Sequence, residues 1–278
     1  MRSGVLPGVR RLASGAGCTL KSSPRSTVVL LHGAGADFAG LSWKHVAPRL
    51  ARSFQVLTPN LPGHGGTPEL PQPTTEAYLD WLCRWMDGTG VERGSLVGLS
   101  LGGALALGYA LRRPERVDRL VLVASYGLSP RLPYHGLLWL LLRSPLLRLL
   151  QAPSLRRRPG LWLGVRFLVG EARTVDAELL DDVRAAVRGT SPGLFWRWLQ
   201  TEIARGRVRT YYGDRLHDLR CPVLLIHGDR DRLVPLAHAE QAARRIPEAQ
   251  LVVLRGCGHW PPRERPEEFW SALEAFLG

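Results

Sequence analysis

Short runs of apolar residues recur along the chain, and each is bounded by turn-forming residues. A continuous apolar run of this length is typical of a strand that is buried on both faces, as in a parallel sheet. We predict six such strands: Thr27–Leu31, Gln55–Thr58, Ser95–Val97, Leu120–Val123, Val223–Ile226 and Leu251–Leu254.

Segments with a helical period separate several of these strands. Thr75 can cap a helix in which Tyr78, Leu82 and Trp85 share one face, and Pro266 can begin a last helix. The alternation of strands and helices predicts an α/β fold, with a mostly parallel, twisted sheet that is flanked by helices.

The pattern changes between residues 128 and 215, where helical stretches follow one another: Gly136–Leu150, Asp176–Arg188 and Leu194–Ala204. We therefore predict a core domain of residues 1–127 and 216–278, with a helical insertion of residues 128–215, below called the insertion. Its most apolar stretch is interrupted by arginines and a proline before it reaches the roughly 20 residues of a membrane span, so we predict no transmembrane helix.

The net charge of +13 is unevenly distributed along the chain. Residues 1–36 hold five basic residues and no acid, the insertion holds 15 arginines and seven acids, and the remainder is neutral. Because the core is neutral and carries no nucleic-acid-binding motif, we expect no nucleic-acid partner. The basic insertion leaves open a peripheral contact with an anionic lipid surface.

Cysteine usage and the first residues bear on location. Four cysteines without a C-x-x-C pair, in a chain of 278 residues, predict neither a disulfide framework nor a zinc ribbon and favour the cytoplasm. The sequence leaves open whether the basic first 25 residues are structured or form a targeting segment, and it does not determine the oligomeric state.

One stretch carries a pattern for nucleophilic chemistry. Gly98-Leu99-Ser100-Leu101-Gly102 directly follows a predicted strand and opens a helical pattern. In this strand–turn–helix arrangement the sharp turn holds Ser100 at a helix N-terminus, where the positive end of the helix dipole favours an oxyanion.

A base and an orienting carboxylate also follow predicted strands. His259 lies in a glycine-flanked loop after Leu251–Leu254, and Asp229 and Asp231 both follow Val223–Ile226. Open α/β sheets place their sites beyond the carboxyl ends of strands, so we expect serine, carboxylate and histidine to meet there. Asp231 is our first choice for the carboxylate, and Asp229, nearer the turn, is the competing candidate.

These motifs, together with Leu30-Leu31-His32-Gly33-Ala34-Gly35 and Asn60-Leu61-Pro62-Gly63-His64-Gly65, resemble the α/β-hydrolase superfamily over nearly the full length. The resemblance implies the α/β-hydrolase fold with the insertion as a helical cap. It also implies a triad of Ser100, Asp231 and His259, which selects Asp231 over Asp229. The oxyanion hole would be formed by the backbone N–H groups of Ala34 and Leu101, and no cofactor or metal is implied.

The expected reaction is hydrolysis of a small-molecule carboxylic ester through an acyl-enzyme. Apolar residues of the insertion suggest a hydrophobic acyl or aromatic substrate part, with Leu99, Trp260 and Trp139 as candidate pocket residues. One alternative is a C–C bond hydrolase of ring-cleavage products, which Leu99 disfavours because such relatives typically carry Asn there. An alternative of another class is a non-catalytic protein that binds a small ligand on the same fold.

Overall fold

The computed structural model describes residues 9–11, 26–145 and 158–278. Its strands are β1 (Val9–Arg11), β2 (Thr27–Leu31), β3 (Gln55–Pro59), β4 (Gly94–Leu99), β5 (Val117–Val123), β6 (Ile203–Ala204), β7 (Arg207–Val208), β8 (Val223–Gly228) and β9 (Ala249–Leu254). Seven of them form one sheet in the order β1-β3-β2-β4-β5-β8-β9, in which β1 alone runs antiparallel to its neighbour. The predicted mostly parallel sheet is confirmed.

The helices are α1 (Ala39–Ser42), α2 (Ala47–Leu50), α3 (Thr75–Gly88), α4 (Leu101–Arg112), α5 (His135–Arg143), α6 (Arg158–Leu168), α7 (Ala177–Gly189), α8 (Leu194–Glu202), α9 (Leu236–Ala243), α10 (Pro261–Glu264) and α11 (Pro266–Leu277). Short 3₁₀ turns cover Pro114–Arg116, Ala172–Thr174 and Gly213–Asp218.

The central strands are apolar on both faces because each face covers a separate hydrophobic cluster. Along β2, Val29 and Leu31 pack into one cluster with helices α3 and α4, whereas Val28 and Leu30 pack into the other with α11. Successive side chains of a strand point to opposite faces, so a strand buried on both sides needs an unbroken apolar run. The unbroken apolar runs in the sequence therefore predicted the positions of the central strands.

The predicted cap of helix α3 was wrong by one residue. Thr74, in extended backbone, is the N-cap, and its Oγ1 accepts a hydrogen bond from the N–H of Ala77 at 3.1 Å. Thr75 is the first helical residue, and its Oγ1 accepts from Nε1 of Trp198 in the insertion at 3.0 Å. Two adjacent threonines offer the same capping chemistry, and the backbone angles select the first.

Helices α5 to α8 of the insertion lie between β5 and β8 in the chain. The predicted helical stretch Gly136–Leu150 is helical as α5 only up to Arg143, because Ser144 is the C-cap in extended backbone. Its part beyond residue 145 lies outside the described residues, as do most of the first 25 residues. Asp176 caps α7 rather than belonging to it, and α8 ends at Glu202 because residues 203–208 turn into the β6–β7 hairpin. That hairpin and β1 are strands that the sequence pattern missed, since each has only two or three residues.

The insertion is bonded through its backbone to loops that follow core strands. The N–H of Gly66 donates to the carbonyl of Gly189, and the N–H of Ser191 donates to the carbonyl of Gly63, both at 2.8 Å. These bonds place the end of α7 against the loop after β3. In the part of the chain that the structure describes, no helix has the length and apolar character needed to span a membrane.

Candidate functional site

Ser100 occupies the single residue between strand β4 and helix α4. Its backbone has φ of 53° and ψ of −113°, outside the regions that L-residues ordinarily adopt. Its N–H donates to the carbonyl of Val123, and its carbonyl accepts from the N–H groups of Ala104 and Tyr126. The surrounding backbone therefore holds Ser100 in this strained conformation.

Glycines surround Ser100 because the chain segments touch there through their backbones. A Cβ atom on Gly98 would lie 2.2 Å from the carbonyl oxygen of Gly102, and one on Gly102 would lie 2.3 Å from that of Leu31. Both distances are far below a van der Waals contact, so no side chain fits at either position. The G-x-S-x-G spacing thus has a steric cause in this fold.

The structure brings together Ser100, His259 and Asp231 from the ends of β4, β9 and β8. Nε2 of His259 lies 3.0 Å from Oγ of Ser100, and Nδ1 lies 2.7 Å from Oδ2 of Asp231. Because an ionised carboxylate can only accept, Nδ1 carries the proton, and Nε2 is left to accept from the serine hydroxyl.

The buried carboxylate of Asp231 has hydrogen-bond donors close to both of its oxygens. Its Oδ1 accepts from the N–H groups of Leu233 at 2.8 Å and Val234 at 2.9 Å, and Oδ2 lies 3.3 Å from Nε2 of His227. Burial by itself raises the pKa of Asp231, but His259 and His227 outweigh it and hold that pKa below its ordinary range.

The contact with Asp231 shifts the pKa of His259 in the opposite direction. Burial by itself lowers the pKa of His259, but the charge and hydrogen bond of Asp231, with smaller contributions from Glu264 and Asp37, raise it above its ordinary value. The imidazolium form is therefore stabilised within a buried site.

Asp229, which the spacing left as a competitor, has a different partner. Its Oδ1 accepts the N–H of Gly256 at 2.7 Å, which holds the start of the loop that carries His259. Of the two carboxylates after β8, Asp231 is thus the one bonded to the imidazole.

The loop after β2 lies against Ser100. A Cβ atom on Gly33 would be 3.5 Å from the Cβ of Ser100, so the loop packs against the serine at this residue, and Ala34 follows it in the chain. The N–H of Gly33 already donates to Oδ2 of Asp37 at 2.8 Å. Leu101 is the first residue of α4, where a backbone N–H has no carbonyl partner within the helix.

Asp37 fixes this loop from inside the protein. Besides Gly33, its carboxyl accepts from the N–H of Phe38 and from Oγ of Ser42, each within 2.8 Å. Burial raises the pKa of Asp37 to about 7, although these hydrogen bonds oppose the shift. Ser42 in turn accepts from Nε1 of Trp260 at 2.8 Å, which joins the loop to the residue after His259.

The three candidate pocket residues lie in different surroundings. Leu99 is buried, with Cδ2 3.8 Å from the position of a Cβ on Gly33, and Trp260 is buried and bonded to Ser42. Trp139 is half-buried beneath the guanidinium of Arg143, 4.8 Å from its ring centre. Their part in a substrate pocket stays a prediction.

Phe195 of helix α8 lies 3.5 Å from where a Cβ of Gly35 would be, which places it over the loop beside Ser100. Sequence reasoning also missed Asp37, His227 and Glu264, whose side chains hold the site from behind. For Asp37 and Glu264 the only signal was an acidic residue close to a motif, and for His227 it was the position just before Asp229 and Asp231. Among the described residues, no group of three or more His, Cys, Asp or Glu side chains could hold a metal ion.

The chain is similar to a known protein family and to several characterised relatives. The family model described as "Alpha/beta hydrolase family" matches residues 28–272. A pimeloyl-[acyl-carrier protein] methyl ester esterase of Aromatoleum aromaticum is 33% identical over 266 residues, covering 90% of this chain and 97% of that protein. A 2-hydroxy-6-oxo-2,4-heptadienoate hydrolase of Pseudomonas putida is 30% identical over 256 residues, covering 90% and 88%.

The fold is also similar to that of a solved structure. A meta-cleavage product hydrolase from Pseudomonas fluorescens IP01 superposes with a TM-score of 0.75 at 25% identity, covering 97% of this chain and 93% of that one. Family model, relatives and fold agree, and the chain belongs to the alpha/beta hydrolase family.

Proposed function

We propose that this hydrolase cleaves carboxylic esters through an acyl-enzyme on Ser100. One observation carries the proposal: an unbroken chain of hydrogen bonds runs from Oγ of Ser100 through His259 to the buried carboxylate of Asp231, at a strained turn. This is the arrangement that a serine needs to become a nucleophile at neutral pH, because the hydroxyl is unreactive without an adjacent base.

The reaction has two acyl-transfer steps. Oγ of Ser100 attacks the ester carbonyl while its proton passes to Nε2 of His259, and the imidazolium then protonates the departing alcohol. Water repeats the sequence on the acyl-enzyme, so that the acid is released and the serine hydroxyl is restored. Asp231 keeps the proton on Nδ1 and stabilises the imidazolium, in keeping with the raised pKa of His259.

Two backbone N–H groups stabilise the oxyanion of each tetrahedral intermediate in this proposal. Leu101 offers the N–H at the start of α4, and Ala34 offers one from the loop packed against Ser100. Gly33 is not available as a donor, because its N–H is bonded to Asp37. Donors fixed before the reaction need no rearrangement when charge develops, which is why they contribute strongly.

The insertion, residues 128–215, acts as the cap over this site. Phe195 over the loop at Gly35 supports that role, and its ring packs edge-on against Trp196 at a centroid distance of 5.2 Å. An apolar wall beside the serine favours an ester with a hydrophobic acyl or aromatic part. Leu99, Trp139 and Trp260 remain the other pocket candidates.

A second candidate activity is C–C bond hydrolysis of ring-cleavage products. The similarity to the Pseudomonas putida and Pseudomonas fluorescens hydrolases favours it. Against it stands Leu99, a buried apolar side chain at the position before the serine, which offers no hydrogen bond to a substrate. Ester hydrolysis is therefore the first proposal.

Labelling with a fluorophosphonate probe tests the serine chemistry. We expect the wild type to be labelled and Ser100→Ala not to be, with kcat on an accepted ester falling by about 10⁴-fold or more in the variant. Equal labelling of both proteins, or none of either, would favour the non-catalytic ligand-binding alternative instead.

A substrate panel then separates the two reactions. p-Nitrophenyl esters of increasing acyl length are compared with a 2-hydroxy-6-oxo-dienoate under identical conditions. Higher kcat/KM for the dienoate would reverse the order of the two proposals, and activity that falls steadily beyond acetate would contradict a hydrophobic acyl pocket.

On sequence grounds we place the protein in the cytoplasm, with peripheral lipid contact through the insertion still to be tested.

A further inference from the structure

Glu264 is a buried carboxylate that the proposed reaction does not use. It ends the short helix α10, five residues after His259, and only 6% of its surface is exposed. A carboxylate is costly to bury unless hydrogen bonds replace its water, so the partners of Glu264 indicate what it does.

All three of its hydrogen-bond partners are backbone N–H groups. Oε2 accepts from Gly258 at 2.9 Å and from Gly170 at 2.7 Å, while Oε1 accepts from Trp260 at 2.9 Å. The first and last of these residues flank His259 on either side. Gly170 belongs to the insertion, just after helix α6.

The insertion and the loop of His259 also touch directly at this place. The N–H of His259 donates to the carbonyl of Leu168 at 2.8 Å. A Cβ on Gly258 would lie 2.3 Å from that same carbonyl, and one on Gly170 would lie 2.3 Å from the carbonyl of Gly256. The two segments are therefore in backbone contact, and neither glycine has room for a side chain.

From this juxtaposition we infer that Glu264 is a positioning residue, which fixes both flanks of His259 and fastens them to the insertion. Any movement of the end of α6 is then transmitted to the base through Gly170, Leu168 and Glu264. The inference deepens the proposed function and rests on it for the role of His259, whereas the placement of His259 by Glu264 stands on the hydrogen bonds alone.

The charge of Glu264 supplies a readout that a purely structural role would not move. Three carboxylates act on the imidazole: Asp231 in direct contact, and Glu264 and Asp37 from further away, all favouring the imidazolium. Removing one of the three while the other two remain should lower the pKa of His259.

The test compares Glu264→Gln, Glu264→Asp and the control Glu274→Gln, an equal charge change at an exposed position of α11. In Glu264→Gln the amide group faces one of the three N–H donors, so we expect kcat on the best p-nitrophenyl ester to fall about 10²-fold, with KM little changed. The acidic limb of kcat/KM and the His259 pKa by NMR titration should move to lower pH. Residues 168–172 and 256–262 should exchange amide hydrogens faster.

Glu264→Asp keeps the charge but is one methylene shorter, so it should lose part of kcat while the acidic limb stays in place. The control should match the wild type in every measurement. A Glu264→Gln protein with wild-type kcat, His259 pKa and amide exchange would overturn the inference, as would a loss of kcat with neither of the other two changed.

If Glu264→Gln fails to fold, Glu264→Asp decides, because wild-type kcat and wild-type exchange in it would equally overturn the inference. Failure of the proposed function has a separate signature, since it would leave the wild type unlabelled by the fluorophosphonate. The NMR titration and amide exchange need no turnover and would still measure the placement of His259.

Discussion

Two buried aspartates support the site around Ser100, and they differ in the partners of their carboxyl groups. Asp231 contacts the imidazoles of His259 and His227 and has a lowered pKa. Asp37 is hydrogen-bonded to backbone N–H groups and a hydroxyl, with the imidazole of His32 4.0 Å away, and its pKa is raised to about 7. Both are buried, with 8% and 4% of their surfaces exposed. The comparison indicates that imidazoles in direct contact, more than burial, decide whether a buried carboxyl stays ionised here.

The two environments suit the two proposed tasks. Beside His259 a permanent negative charge is needed, because it must stabilise an imidazolium that forms during the reaction. At the loop after β2 an acceptor for the N–H groups of Gly33 and Phe38 suffices. Substitutions at Asp231 and Asp37 therefore test the two proposed tasks separately.

The largest effect is expected from Asp231→Asn. The amide would favour the tautomer of His259 that carries its proton on Nε2, so the imidazole could no longer accept from Ser100. We expect kcat to fall by about 10⁴-fold while the fold is retained, measured on the best p-nitrophenyl ester with circular dichroism as control. Asp229→Asn is the matched variant, and a larger loss of kcat there would assign the carboxylate role to Asp229.

An intermediate effect is expected from Asp37→Asn. Its carboxyl accepts from N–H groups on both oxygens, so an amide must turn a donor toward one of them. The loop that carries Ala34 would shift, and we expect kcat to fall by roughly 10²-fold or less and stability by about 1–3 kcal/mol. Wild-type kcat in this variant would mean that the loop does not depend on Asp37.

The same variant tests the direction of the pH dependence. With a pKa raised from 3.8 to about 7, folded Asp37 keeps its proton where the unfolded chain has lost it. Its contribution to stability is therefore full below about pH 4 and declines up to about pH 7. Urea unfolding at pH 5 and pH 8 should show the wild-type advantage over Asp37→Asn shrinking at the higher pH; an advantage that grows would contradict the raised pKa.

The smallest effect is expected at His227, which supports Asp231 from behind. Its Nε2 lies between the carbonyl of Val234 at 2.8 Å and Oδ2 of Asp231 at 3.3 Å. His227→Leu leaves both acceptors without this donor, so we expect about a 10-fold loss of kcat, whereas His227→Gln, which keeps an amide donor, should lose less. Equal kcat in the two variants would mean that the Nε2 donor of His227 does not support Asp231.

Sequence patterns predicted the parts of the fold that depend on burial on both faces of a sheet. The long central strands β2, β4, β5 and β8 were found through their apolar runs, although β5 begins three residues before its predicted start and includes the polar pair Asp118 and Arg119. The edge strand β1 and the hairpin β6–β7 were missed because their strands have only two or three residues, and the cap at Thr74 was misplaced because the adjacent Thr75 offers the same capping chemistry. Arginine-rich composition gave the charge of the insertion but not its contacts.

The order of serine, aspartate and histidine along the chain, the glycines of the turn and the strands that precede them were determined by the sequence alone. Local sterics and buried apolar runs leave a readable pattern. Asp231 was selected over Asp229 from the sequence through its family resemblance, but which acids hold the loops at Gly33 and Gly258, and how the insertion is fastened to the base, were decided only by tertiary structure. Those choices depend on hydrogen bonds between residues far apart in the chain, and no local pattern records them.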